Sequence, residues 1–139
     1  MEFAVAGGYA VALHGGVRGT IDLDLVVAHS EPSYVAAERA LNGLGLRCHL
    51  PVGASEVFRF RQEYLDNRNL VAWSFVDPND PTRLVDIVLT FARESLPTTP
   101  MSVAGETIPV LEKSALISMK ERAGRAQDMA DVEAPRRLP

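Results

Sequence analysis

A chain of 139 residues, 47% hydrophobic and 23% charged, can bury one core but not two, so a single domain is expected. Fourteen basic against 18 acidic residues leave a net charge of −4, which excludes a global attraction to nucleic acid or to anionic membranes; a polyanion would have to be held by a local patch. The single cysteine, Cys48, excludes a disulfide framework and a soft-ligand zinc cluster, and is in keeping with a reducing cytoplasm.

The first strand begins almost at Met1, which leaves open either a natural sheet edge or a longer chain with a helix ahead of it. Residues Phe3 to Leu13 are apolar, but Glu2 stands where a signal peptide would be basic, and Gly7-Gly8 interrupt the run. No stretch approaches the roughly 20 apolar residues that a bilayer span requires. After the Gly7-Gly8 turn the sequence predicts a small-residue helix from about Tyr9 to Leu13 and a second turn at His14-Gly15-Gly16. Asp22-Leu23-Asp24 then opens a strand running to Val27.

In a strand, Asp22 and Asp24 share one face, roughly 6 to 7 Å apart, while Leu23 and Leu25 take the other. Two carboxylates so placed repel each other and lose hydration, and a bound cation would offset both costs. Oxygen-only ligands suit Mg²⁺ or Mn²⁺, and Mg²⁺ is usually held by one or two carboxylates together with substrate phosphates. Alone, Asp-x-Asp is most often a pair of surface acids, and Gly-Gly a tight turn.

Ser30 is placed to cap a helix over about Pro32 to Leu44, with Val35, Ala36, Leu41 and Leu44 near helical spacing and Gly43 and Gly45 ending it. Leu46 to Leu50 and Val57 to Gln62 read as short strands, the second alternating Val57, Arg59 and Arg61 against Phe58 and Phe60, its basic face turned to solvent, the commoner case, or to phosphates. Leu70 to Val76 is a stronger strand prediction, with Trp73 and Phe75 as core residues. Asp77 to Pro81 reads as a loop from its Pro and Asn/Asp content. Leu84 to Leu89 is a near-continuous apolar run, as for a strand buried on both faces, and it carries one acid, Asp86, which needs an explanation. Pro97 and Pro100 bracket a loop, Val103 to Leu111 is extended with an interruption at Gly105, and Glu112 to Ala123 is an amphipathic helix. Gly124 bends the helical pattern, which resumes over Arg125 to Glu133. The domain is therefore drawn over residues 1–134, with a frayed tail at 135–139.

Gly7-Gly8, the Asp22-Leu23-Asp24 triplet and a later Asp86 in an apolar strand together resemble the nucleotidyltransferase superfamily, the DNA polymerase β-like fold. GGYAVALHGGVRGTIDLD is similar to the corresponding stretch of the minimal nucleotidyltransferases and of the abortive-infection toxin nucleotidyltransferases. LISMKERAGRAQDMADV is similar to a Lys, Arg, Asp-x-x-Asp segment of the latter.

The resemblance implies an α/β (α+β) fold with a mixed sheet of about five strands flanked by helices. It implies Asp22, Asp24 and Asp86 as catalytic ligands of two Mg²⁺ or Mn²⁺ ions, with Asp86 also a candidate base. Gly7, Gly8, Arg18, Thr20 and Lys120 would contact the nucleotide, Gly7 and Gly8 through main-chain N–H groups and Lys120 as a point charge. Arg125, Asp128 and Asp131 would lie near the site or form a local salt-bridge network. Gly8 departs from the commoner Gly-Ser form and removes a hydroxyl that could touch phosphate. His14 reads as a helix-end cap or packing residue.

Haloacid-dehalogenase-like phosphatases expect a threonine two positions past the acid pair, where Val26 stands, and Asp-x-Asp glycosyltransferases need a larger nucleotide-binding half. The expected function is a cytoplasmic, Mg²⁺-dependent enzyme that moves a nucleoside monophosphate from an NTP to a hydroxyl of a protein, an RNA or a small molecule. The alternative is a degenerate binding module or toxin–antitoxin component that acts through a partner protein. Apolar strand surface near the start suggests a homodimer, and no membrane partner is expected.

Overall fold

A computed structural model describes residues 3–15, 23–48, 50–67 and 72–123. The strands are β1 (Phe3–Ala6), β2 (Leu23–Val27), β3 (Arg47–Cys48), β4 (Ala72–Asp77), β5 (Asp80–Val88), β6 (Thr98–Val103) and β7 (Glu106–Leu111). The helices are α1 (Gly7–Leu13), α2 (Glu31–Gly43), α3 (Ala54–Arg59), α4 (Arg61–Asn67) and α5 (Lys113–Ala123). All seven strands join one mixed sheet in the order β3-β4-β5-β2-β1-β7-β6, with β2 parallel to β5 and β1 parallel to β7.

The α/β class is as expected, but the sheet has seven strands rather than about five. One edge falls within the expected short strand Leu46 to Leu50, and the other is longer than foreseen. At one end the two-residue β3 pairs with β4. At the other, Val103 to Leu111 is not one interrupted strand but the turn and second arm of a hairpin. Ala104 and Gly105 take φ of 53° and 82°, the left-handed pair that a two-residue hairpin turn demands. Pro100, expected in a loop, lies in β6, where an edge strand tolerates a missing N–H.

Alternation divides the sheet into two faces. Trp73, Phe75, Val85, Ile87, Leu25 and Val5 are register neighbours and nearly or fully buried. Helix α2 covers this face, with the Tyr34 ring stacked 6.0 Å from Trp73 and Phe58 of α3 edge-on to Tyr34 at 5.6 Å. Burial pushes the Tyr34 phenol up, and the nearby Arg61 guanidinium opposes that shift. The opposite face carries Asp24, Asp86 and Ser74, all partly buried. So β5 is not buried on both faces: Val85, Ile87 and the following Leu89 are buried, while Leu84, Asp86 and Val88 are partly exposed.

Two further expectations fail for identifiable reasons. Val57 to Gln62 is not a strand; it spans the end of α3 and the start of α4. Ala54, Val57 and Phe58 supply a helical i, i+3, i+4 stripe, of which Ala54 lies ahead of the alternating segment. Arg61 accordingly lies partly buried beside Tyr34 and His29 instead of on a solvated strand face. Asp77 to Pro81 is a tight turn at Pro78-Asn79 rather than a loop, tied by Asp77 Oδ1 accepting from the Asn79 N–H at 2.8 Å and by an Arg83–Asp77 ion pair of 2.6 Å.

Helix α2 starts where Ser30 was expected to cap it: the Ser30 hydroxyl oxygen accepts from the Ser33 N–H at 3.3 Å, and Pro32 stands in the first turn. Ser30→Ala is expected to cost about 1 kcal/mol of unfolding free energy, measurable by urea denaturation, because one helix-end N–H loses its partner.

Candidate active site

Strands β2 and β5 run parallel, and their register sets Asp24 directly beside Asp86. Register neighbours point to the same side of a sheet, so these two carboxylates stand together on adjacent strands, roughly 4.8 Å apart at the backbone. Each is flanked along its strand by apolar residues of the covered face, Leu23 and Leu25 for Asp24, Val85 and Ile87 for Asp86. The alternation that packs those neighbours against the core turns both acids to the other face.

Gly7 stands at the junction where β1 becomes α1. The antiparallel register of β1 and β2 places Ala6 opposite Asp24, so the chain turns into α1 alongside that carboxylate. Gly7 has φ of +64°, and a Cβ built on it would fall on the Asp24 carboxylate oxygen Oδ2. Here glycine is required twice, by the left-handed backbone and by the side chain packed over it. No side chain caps the start of α1, and its first turn holds no acidic residue. At the far end of α1, His14 Nε2 donates to the Leu111 carbonyl at 2.8 Å, pinning the helix to the end of β7, just before α5. His14 is thus a helix-end tether, as its sequence position suggested.

Ser74 completes the described cluster, and sequence reasoning missed it. It is the register partner of Asp86 across β4 and β5, and its hydroxyl donates to Asp86 Oδ1 at 2.5 Å. The available signal was a lone serine between the two buried aromatics Trp73 and Phe75, which marks the outward face of β4.

Of the sequence-predicted residues, Gly7, Asp24 and Asp86 come together, and Gly8 follows in α1. Lys120 lies in α5, which packs against α1, but its side chain is outside the described set. Asp22, Arg18, Thr20, Arg125, Asp128 and Asp131 lie outside the described residues. Among the described residues no three metal-ligating side chains cluster, and the carboxylate pair is the part of the expected triad that can be placed. The donor set fits a hard divalent ion: carboxylate oxygens with no sulfur or imidazole nitrogen in the described group.

The sequence matches no protein-family model and no curated protein. Its fold is similar to the crystal structure of an antigenic nucleotidyltransferase-like protein from Paracoccidioides brasiliensis, with a TM-score of 0.53 and 16% sequence identity over 96% of this chain. The chain spans 66% of the length of that protein. The likeness runs across nearly all of the chain and shows that the two proteins share a fold.

Proposed function

We propose that the protein is a Mg²⁺- or Mn²⁺-dependent nucleotidyltransferase that moves a nucleoside monophosphate from an NTP to a hydroxyl acceptor on a protein, an RNA or a small molecule. The observation that carries this reading is the pairing of Asp24 with Asp86 on adjacent parallel strands, with the Gly7 bend packed on the Asp24 carboxylate. A structural role alone would hardly put two acids side by side on neighbouring strands, since like charges so placed oppose folding.

Asp24 and Asp86, joined by Asp22, would hold the metal. When bound, the ions supply charge stabilisation for the triphosphate and the leaving pyrophosphate and make the acceptor hydroxyl easier to deprotonate. The protein's own part is positioning. Asp24 and Asp86 are fixed by two strands whose other face is anchored in the core, so their spacing varies little as substrates come and go. Gly7 and Gly8 present main chain without side chains, which lets N–H groups approach a phosphate closely. Lys120 would contribute a positive charge toward the β- and γ-phosphates.

Incubation with α-labelled NTPs, Mg²⁺ or Mn²⁺ and fractionated cell extract tests the reading. A labelled acceptor together with released pyrophosphate is the expected result. Absence of both nucleotide binding and labelled product with either metal overturns it, and a partner protein captured by a nucleotide-indifferent chain would then favour the binding-module alternative.

A further inference from the structure

We infer that Ser74 is a positioning residue for Asp86: its hydroxyl holds one carboxylate oxygen so that the carboxylate meets the metal in a single orientation. The inference rests on the metal reading above and assigns a residue that reading does not need. The hydroxyl-to-carboxylate distance of 2.5 Å is at the short end for a charge-assisted O–H···O⁻ bond.

Two features make the donor rigid. Ser74 lies between Trp73 and Phe75, both fully buried, so the backbone on either side is locked into the core. Its register with Asp86 belongs to the continuous ladder from Ala72↔Val88 to Val76↔Leu84, so neither strand can slide without moving that core. The acceptor, by contrast, has a soft torsion. An aspartate's terminal carboxylate rotates over a broad, nearly two-fold range, and a fixed hydrogen bond to one oxygen narrows it. With Oδ1 engaged by Ser74, Oδ2 is the oxygen that this bond leaves for another ligand. Outer groups that orient a ligating carboxylate in this way typically contribute 10- to 100-fold in metal affinity.

The test uses the full chain and Mn²⁺ alone as the probe. Mn²⁺ affinity is measured by titration with paramagnetic resonance detection of the free ion, and melting temperature is recorded with and without the ion. Ser74→Ala is expected to weaken Mn²⁺ binding by roughly 10- to 100-fold and to lose most of the Mn²⁺-induced rise in melting temperature, with the metal-free melting temperature little changed. Ser74→Thr, which keeps the hydroxyl and suits a strand, is expected to stay close to wild type.

A wild-type Mn²⁺ affinity in Ser74→Ala overturns the inference and leaves the metal reading standing. An equal loss in Ser74→Ala and Ser74→Thr also overturns it, because the hydroxyl would not be what matters. A wild-type chain that binds Mn²⁺ no better than Asp86→Asn overturns the metal reading and this inference with it. If Ser74→Ala does not fold, Ser74→Cys, a much weaker donor of similar size, carries the same expectation and the same overturning result.

Discussion

Asp86→Asn is expected to lower nucleotidyl transfer by more than about a hundredfold while leaving the fold as stable as before or slightly more so. The two halves of that expectation have separate causes. The amide has the size and shape of the carboxylate, and its oxygen can still accept from the Ser74 hydroxyl, so the β4–β5 ladder loses nothing. What changes is charge. Asp24 stands beside Asp86 on the neighbouring strand, and two unit charges about 5 Å apart oppose each other by on the order of 1 kcal/mol in a well-solvated setting.

Removing one charge relieves that opposition in the metal-free protein and, under the proposed function, would take a ligand from the metal. Urea unfolding without metal should therefore show unchanged or greater stability, and labelled-nucleotide transfer at saturating Mg²⁺ should collapse. A stability loss of several kcal/mol with transfer reduced only in proportion would mean that Asp86 holds the sheet together and does not serve chemistry.

The acids were legible as interruptions: Asp86 in Leu84 to Leu89 and Asp24 in Leu23 to Val27 each break an apolar run. Which way they point was not, because Leu84 to Leu89 reads as buried on both faces and β2 is buried on both sides over Leu25 to Val27. Gly7 was legible as a spacing, though not for its reason: nothing in the chain announces that a Cβ there would meet Asp24.

Ser74 was legible as an outward-facing serine but not as the partner of Asp86, for a physical cause. Counting back from the Pro78-Asn79 turn, where Asp77 faces Asp80, would pair Ser74 with Arg83; the register shift between Val76 and Asp77 moves it to Asp86. An irregularity of this kind in a ladder is a product of local twist and packing and leaves little trace in composition. The misread segment from Val57 to Gln62 fails differently. Its Val-Phe-Arg-Phe-Arg order satisfies a two-residue period, and only the preceding Ala54 shows the helical stripe, so tertiary burial on α2 decides between them.

Gly7→Ala is expected to destabilise the protein by about 3 kcal/mol and to reduce transfer and Mn²⁺ binding together, through Asp24 rather than through the phosphate. The backbone contributes first. At φ of +64° an L-residue pays roughly 1 to 2 kcal/mol that glycine does not. The side chain contributes the rest, because the new methyl would fall on the Asp24 carboxylate, and either that carboxylate or the start of α1 must move.

The two parts separate in a double-mutant cycle with Asp24→Ala. Truncating Asp24 removes the carboxylate that the methyl strikes, leaving the backbone cost and a tight approach of 3.1 Å to the Asp24 Cβ. Gly7→Ala should therefore cost less in the Asp24→Ala background than in the wild type, by about 1 to 2 kcal/mol in urea unfolding. Strict additivity would mean that α1 simply shifts and Gly7 does not set the carboxylate's place. A clear coupling, with Mn²⁺ binding lost in Gly7→Ala alone, would mean that the glycine bend shapes the metal site before any nucleotide arrives.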